Sequence, residues 1–233
     1  MTPALVAVSH GTSSADGQAA VAGLVDAVRL RLPGVDVLDA YVDVQKPALE
    51  DVLDRLGEPA VVLPLLLAPG FHFHVDVARA VSRRAATTAA VLGPDRSVTG
   101  VLVDRLASVG LCDDDVLVLG VAGSRDFRAH RSVDSAATRL AIALGREVRV
   151  GHLGGTGRPI RDVVAEAATS RSRIVVATYL LAPGYFANVL STCGADAVTA
   201  PLLSGGLPDP RLVQLVVDRF QRSAAQWRYE RAS

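Results

Sequence analysis

The sequence predicts an α/β fold made of two similar halves, each with a parallel sheet covered by helices. Apolar segments rich in Val, Leu and Ala alternate with amphipathic segments of helical period along the 233 residues. The apolar segments are continuous rather than alternating, as expected for parallel strands buried on both faces. The order of elements in the first half then repeats in the second, which indicates duplication.

The first half contains four expected strands, each followed by a helix. The strands fall at residues 4–9, 35–42, 60–67 and 88–92. The helices fall at residues 21–32, 47–56, 74–85 and 95–109. Pro33-Gly34 ends the first helix, and Pro47 is expected to open the second because proline suits the first helical position.

The second half repeats this order and part of the sequence. Strands are expected at residues 115–121, 147–151, 173–181 and 195–200. Helices are expected at 127–144, at 159–168, after residue 181 and at 210–227. The Leu-Leu-Ala-Pro-Gly segment at 66–70 recurs at 180–184. The glycine-led polar linker at 110–115 predicts two domains, at residues 1–110 and 115–233.

Composition excludes several classes of function. The chain has 24 basic and 24 acidic residues and a formal net charge of zero, which argues against a nucleic-acid partner. Its two cysteines, Cys112 and Cys193, are far apart, which argues against a disulfide framework and a thiolate metal site. The first residues lack a signal-peptide pattern, and no apolar segment is long enough for a membrane span. We therefore expect a cytoplasmic protein without a membrane partner.

Histidines and a carboxylate follow three strands of the first half. His10 follows the first strand, Asp43 follows the second, and His72 and His74 follow the Pro69-Gly70 break after the third. Ligands bind at the carboxyl ends of parallel strands, and imidazole and carboxylate groups suit a divalent metal ion. Each residue taken alone has a structural alternative: a histidine that caps a turn, or an aspartate in a solvated loop.

The spacing of the two later histidines leaves their geometry open. In an extended segment His72 and His74 would lie on one side, whereas on a helix they would be about 200° apart. Asp76, four residues after His72, could orient its imidazole, or could simply match the helix dipole. We expect His72 to be the main group of the pair, with His74 and Asp76 as accessory groups.

The second half retains the scaffold without these polar groups. Its glycine-rich segment at 151–157 fits neither nucleotide-binding glycine motif. Because duplicated halves share their packing residues, groups that are present in one half alone are not needed by the scaffold. Alignment of the halves pairs His10 with Ala122, Asp43 with Gly155, His72 with Phe186 and Asp76 with Leu190.

Three segments of the first half resemble the sirohydrochlorin chelatases of the class II chelatase group, in their long two-domain form. The segments are Val-Ser-His-Gly-Thr at 8–12, Asp-Val-Gln-Lys-Pro at 43–47, and Pro-Leu-Leu-Leu-Ala-Pro-Gly-Phe-His-Phe-His-Val-Asp at 64–76. They occur in the order and at the spacing of that family. The resemblance implies two chelatase-like domains, each with a four-stranded parallel sheet, that face each other across a cleft, with the active site in the first.

The resemblance also implies roles for individual residues. His10 and His72 would bind the metal and accept protons from the pyrroles, and Asp43 occupies the position of an acid that is usually glutamate. The family commonly has arginine where this chain has Ser13. The residues implied to contact the substrate are Gly11, Thr12, Ser13, Tyr41, Gly70, Phe71 and Arg125.

The implied reaction inserts Fe²⁺ or Co²⁺ into sirohydrochlorin, an anionic tetrapyrrole, in siroheme or cobalamin biosynthesis. It releases two protons and needs neither ATP nor a tightly bound cofactor, because the metal is itself a substrate. Since duplication supplies both domains in one chain, we expect a monomer or weak dimer. Two alternatives remain: a non-catalytic carrier of metal or tetrapyrrole on the same fold, and a chelatase for nickel or another tetrapyrrole.

Overall fold

The structure is a computed structural model that describes residues 2–57, 59–82, 84–170 and 172–232; of residues 71–74, 170 and 230–232 it describes the backbone alone. It contains two four-stranded parallel sheets flanked by helices, so the predicted fold class is confirmed. Within the described ranges, no helix is long and apolar enough to cross a membrane.

The first sheet has the strand order β2-β1-β3-β4. Its strands are β1 (Ala4–Ser9), β2 (Val37–Tyr41), β3 (Ala60–Pro64) and β4 (Ala86–Thr88). Ser9 pairs with Tyr41, and Val8 pairs with Pro64. The strands β1 to β3 therefore end in register, and the segments that follow them leave the sheet at one edge.

Three helices connect these strands. They are α1 (Ala15–Arg31), α2 (Leu49–Leu56) and α3 (Phe71–Val81). The side chain of Ser14 caps α1 by accepting the amide of Gly17. Strand β3 ends three residues earlier, and α3 begins three residues earlier, than the sequence predicts. The Ala-Pro-Gly segment therefore belongs to neither element and connects the strand to the helix.

The second sheet repeats the first, with the order β6-β5-β7-β8. Its strands are β5 (Val116–Val121), β6 (Arg149–His152), β7 (Ile174–Tyr179) and β8 (Ala197–Val198). The connecting helices are α5 (Phe127–Leu144), α6 (Ile160–Ala167) and α7 (Tyr185–Ser191). The central strands β5 and β7 are almost wholly buried, as their Val- and Leu-rich sequences predict.

The structure divides into two compact units, and each unit contains the last helix of the other sequence half. One compact unit comprises Met1–Leu66, His72–Leu92 and Gly205–Ser233, and the other comprises Leu67–Phe71 and Gly93–Ser204. Helix α8 (Pro210–Ala232) packs on α1, β3 and β4 of the first unit. Helix α4 (Arg96–Ser108) packs on α5 and β7 of the second. The predicted division at 110–115 stays a prediction about the duplicated sequence. The compact units differ from it, because residues 93–110 belong to the second unit and residues 205–233 to the first.

Candidate functional site

The loops that carry His10 and Asp43 are joined by main-chain hydrogen bonds at the carboxyl edge of the first sheet. The amide of Asp43 donates to the carbonyl of His10 at 3.1 Å, and the amide of Val42 donates to the carbonyl of Ser9 at 3.1 Å. His10 and Asp43 are both exposed. These bonds bring an imidazole-bearing and a carboxylate-bearing segment side by side, as their positions after β1 and β2 predict.

Gly11 makes this close approach possible. Its φ is +95°, in the region that favours glycine, and a Cβ at this position would collide with the carbonyl oxygen of Asp43. A side chain at position 11 would therefore push apart the two loops that carry His10 and Asp43.

The loop after β2 contains a strained residue next to Asp43. Val44 has a φ of +59°, which a β-branched residue rarely adopts. Its amide donates to Oδ1 of Asp43 at 2.8 Å, and its own side chain is exposed. Strain of this kind persists where the surrounding structure holds it, and it concentrates at functional sites.

Gln45 links the loops after β1 and β2, and the sequence reasoning missed it. Its Oε1 accepts the amide of Thr12 at 2.9 Å, and its side chain also hydrogen-bonds the hydroxyl of Tyr41. Burial, and then the carboxylate of Asp39, raise the pKa of Tyr41, while the bond from Gln45 opposes this effect. The signal was present, because Gln45 lies within the Asp-Val-Gln-Lys-Pro segment.

The polar groups of Thr12 hold the turn between β1 and α1. Its Oγ1 accepts the amide of Ser14 at 3.1 Å, and its carbonyl accepts Nε2 of Gln18 at 2.7 Å. Ser13 between them is exposed. The exposed side chain of Ser13 is open to a ligand, and the hydroxyl of Thr12 retains its proton as a donor.

Residues 72 and 74 lie in the first turn of α3, which decides between the two geometries considered for them. Helical backbone places these two positions about 200° apart around the axis, so the extended arrangement is wrong. The side chains of Phe71, His72 and His74 lie outside the described residues. Gly70, just before the helix, has open space around its Cα.

Asp76 is paired with an arginine. Its Oδ1 lies 3.4 Å from Nη2 of Arg79, whose Nε lies 3.5 Å from Oε1 of Glu50. These three residues, with Tyr41, line a small cavity of about 180 Å³. The predicted role of Asp76 as an orienting partner of His72 stays a prediction. Among the side chains that the structure describes, which exclude His72 and His74, no three His, Cys, Asp or Glu groups form a metal cluster.

The second sheet has the same edge geometry with different residues. Gly123 has a φ of +89°, and a Cβ there would collide with the carbonyl oxygen of Gly154. This contact corresponds to that between Gly11 and Asp43. The structural counterpart of Asp43 is therefore Gly154, and the alignment with Gly155 was wrong by one residue, because a glycine-rich segment offers no side chains to fix the alignment.

His152 and His130 form a partly buried pair that the sequence reasoning also missed. Their ring centroids lie 5.2 Å apart, and burial of His152 together with the charge of His130 lowers the pKa of His152. Gly157 packs against the ring of His152, leaving no room for a Cβ. Nε2 of His130 lies 2.9 Å from the carbonyl of Ser124, to which it donates. The glycine-rich segment thus encloses an imidazole.

A buried tyrosine fixes the turn that precedes α3. The hydroxyl of Tyr179, which is 4% exposed, donates to the carbonyl of Leu67 at 3.1 Å. Burial, reinforced by the carboxylate of Asp95, raises the pKa of Tyr179. Gly93 packs against both groups, and a Cβ there would collide with them.

Comparison with known proteins identifies the family. The CbiX family model matches residues 4–109 and 116–197, which cover most of both sequence halves. The chain belongs to the CbiX family. A search of the curated proteins gives no match.

Solved structures share this CbiX-family fold. SirB from Bacillus subtilis with Fe³⁺ is 20% identical with a TM-score of 0.81, and the match covers 97% of this chain and 96% of that one. The sirohydrochlorin chelatase SirB from Bacillus subtilis subspecies spizizenii, in complex with cobalt, is 19% identical with a TM-score of 0.74, at the same coverages.

A third structure is CbiX, the terminal enzyme for biosynthesis of siroheme in denitrifying bacteria. It is 17% identical with a TM-score of 0.65, and the match covers 94% of this chain and 99% of that one. At these identities the likeness establishes the fold, to which the family model adds membership.

Proposed function

We propose that this CbiX-family protein inserts a divalent metal ion, Fe²⁺ or Co²⁺, into sirohydrochlorin. Family membership and the chelatases that share the fold support this function. The observation that carries it is the pairing of the His10 and Asp43 loops beside the strand that leads into α3 and His72. Three metal-competent groups thus arise from one sheet edge, which is where an α/β sheet binds ligands.

The chemistry suits these residue types. Imidazole binds divalent metals in its neutral form and accepts protons near neutral pH. His10 and His72 would hold the ion until the pyrrole nitrogens replace them, and would take up the two protons that the macrocycle loses. Asp43, whose Oδ1 already accepts the Val44 amide, has a second carboxylate oxygen for the ion or a water bound to it.

The reaction needs no other reactant. The macrocycle loses two protons as the divalent ion enters, so its net charge does not change. We therefore propose an ATP-independent step without a resident cofactor. The contacts proposed for the macrocycle are Gly11, Thr12, Ser13, Tyr41, Gly70, Phe71 and Arg125. The product is the metallated ring, used in siroheme or cobalamin synthesis according to the metal.

Replacing the proposed ligands one at a time tests the assignment. Metal insertion is followed by absorbance with the variants His10→Ala, His72→Ala and His74→Ala. We expect the first two to lose about 100-fold or more in kcat/KM, the usual scale for a proton-transfer group. His74→Ala should lose much less, because position 74 lies about 200° from position 72 on α3. Wild-type rates for both His10→Ala and His72→Ala would overturn the assignment.

A further inference from the structure

The turn that carries Asp43 combines a strained residue, Val44, with a glutamine, Gln45, that ties the turn to a neighbouring loop. We infer that Gln45 is a positioning residue: it holds the Val44 turn in its strained conformation, and this conformation fixes the orientation of the Asp43 carboxylate for the metal ion. The inference rests on the proposed function and adds to it a residue outside the proposed metal ligands and macrocycle contacts.

A single tight turn contains all three residues. The amide of Gln45 donates to the carbonyl of Asp43 two residues earlier, which closes a γ-turn with Val44 at its centre. The φ of Val44 is +59°, and γ-turns with a positive central φ are rare and strained. Such a conformation persists only where the surrounding structure holds it. The turn therefore depends on bonds that oppose the relaxation of Val44 to a negative φ.

The side chain of Gln45 supplies such bonds. Its Oε1 accepts the amide of Thr12 at 2.9 Å, from a segment 33 residues earlier in the chain. A main-chain amide can only donate, so this bond fixes which end of the Gln45 amide group faces Thr12. Nε2 is then the donor to the hydroxyl of Tyr41, at the end of β2. Gln45 is thus held at both ends of its amide group, by the first loop and by the second strand.

The same turn orients the carboxylate of Asp43. Its Oδ1 accepts the amide of Val44 at 2.8 Å, so the peptide group between these two residues sets the direction of the carboxylate. The amide of Asp43 is bonded separately, to the carbonyl of His10 at 3.1 Å. Relaxation of Val44 would break the bond that closes the turn, whereas the bond from Asp43 to His10 would keep the two loops together. The carboxylate would lose its orientation while the fold stays intact.

The second sheet meets the same backbone requirement with a glycine. The corresponding loop of each sheet begins and ends at an isolated β-bridge, and aligning the two bridges pairs Val44 with Gly155. The φ of Gly155 is +76°, which glycine adopts without strain. Both loops therefore need a positive φ at this position, and valine meets the requirement at a cost in strain that glycine avoids.

The two loops also differ in how they are tied to the loop after the first strand of their sheet. In the second sheet the tie joins main-chain groups: the amide of Thr156, the counterpart of Gln45, donates to the carbonyl of Ser124 at 3.2 Å. In the first sheet the side chain of Gln45 makes the tie, to Thr12. A side-chain substitution at Gln45 therefore removes a tie that the same kind of substitution at Thr156 leaves intact, which provides a matched control.

Isothermal titration of the protein with Co²⁺, without macrocycle, tests the inference. Gln45→Met keeps the length of the side chain and removes both bonds of its amide group. We expect its Kd for Co²⁺ to rise about tenfold or more, the usual effect of removing a group that orients a metal ligand. Thr156→Val, at the corresponding position of the second sheet, should leave this Kd unchanged. If Gln45→Met is unstable in a thermal melt, Gln45→Asn takes its place, because its shorter side chain also loses the contact with Thr12.

A second substitution separates release of strain from the simple loss of a bond. Val44→Gly gives the turn a residue that takes a positive φ without strain. Combined with Gln45→Met, it should recover roughly fivefold in Kd, the equilibrium factor that such strain represents. Val44→Ala removes the same exposed side chain but keeps the penalty of a positive φ, so it should recover nothing. Val44→Gly alone should raise Tm by about 2–4 °C, because it removes the strain and keeps the bonds of Gln45.

The outcomes distinguish failure of this inference from failure of the proposed function. A wild-type Kd in the Gln45 variant, or equal recovery with Val44→Gly and Val44→Ala, would contradict the inference. If wild-type protein inserts metal while the Gln45 variant binds Co²⁺ normally, the positioning role alone is wrong. If no insertion occurs but Co²⁺ affinity follows the expected pattern, the proposed reaction alone is wrong, and the role of Gln45 stands. Absence of Co²⁺ binding by wild-type protein would contradict both.

Discussion

Replacing Gly11 with alanine should disable the proposed metal site by separating the two loops that carry His10 and Asp43. The change forces an L-residue to a φ of +95°, which costs about 1–2 kcal/mol, and drives a Cβ into the carbonyl oxygen of Asp43, which adds about 1–3 kcal/mol as overpacking. The free energy of unfolding should fall by about 2–5 kcal/mol. At about 2–4 °C per kcal/mol for a chain of this length, Tm should fall by about 4–20 °C.

The duplicated half offers a matched control for this variant. Gly123→Ala meets the same two penalties, at a φ of +89° and against the carbonyl of Gly154, in the unit that lacks the proposed ligands. Both variants should lose similar stability in a thermal melt. Isothermal titration with Co²⁺ below the melting range should show at least tenfold weaker binding by Gly11→Ala alone. Unchanged Co²⁺ affinity in Gly11→Ala, or equal loss in both variants, would refute the role assigned to this contact.

Three further changes test other parts of the structure. Tyr179→Phe removes the hydroxyl that bonds the Leu67 carbonyl and should cost about 1–2 kcal/mol in a denaturant titration; no loss would mean that water satisfies the carbonyl equally well. Ser14→Ala removes the cap of α1 and should cost about 1 kcal/mol by the same measurement, whereas Ser13→Ala should cost almost nothing. Folding lowers the pKa of His152 from its usual value near 6.5. The stability that depends on neutral His152 is therefore complete above pH 6.5 and is lost as pH falls toward the pKa of the folded state. His152→Gln should flatten a plot of Tm against pH in this range, and an unchanged slope would contradict this role of His152.

The sequence was sufficient for the fold because its signals are local and periodic. Continuous apolar strands, helical spacing and the repeated Leu-Leu-Ala-Pro-Gly segment predicted two parallel sheets, and the structure contains them. The juxtaposition of the His10 and Asp43 loops could also be predicted, because the residues that follow parallel strands in register lie at one edge of the sheet.

Other features of the structure depend on contacts with distant residues, which a local sequence pattern does not specify. The apolar face of α4 predicts a buried helix without saying which sheet buries it, so its packing on β7 was not foreseen. The Thr12 amide donates to Gln45 and the Tyr179 hydroxyl donates to Leu67, and both bonds join segments far apart in the chain. Neither Gln45 nor Tyr179 reveals its partner by residue type. The enclosure of His152 by Gly157 was hidden because glycines before a helix first suggest a phosphate loop.

A multiple-turnover insertion assay tests the central claim most directly. Wild-type protein is mixed anaerobically with a large excess of sirohydrochlorin and of Fe²⁺ or Co²⁺, without ATP, and the absorbance of the metallated ring is followed against a protein-free control. A chelatase must form many equivalents of product per protein at a rate above the control. Product that stops at one equivalent, or a rate equal to the control with both metals, would contradict the account and leave a carrier on the chelatase fold.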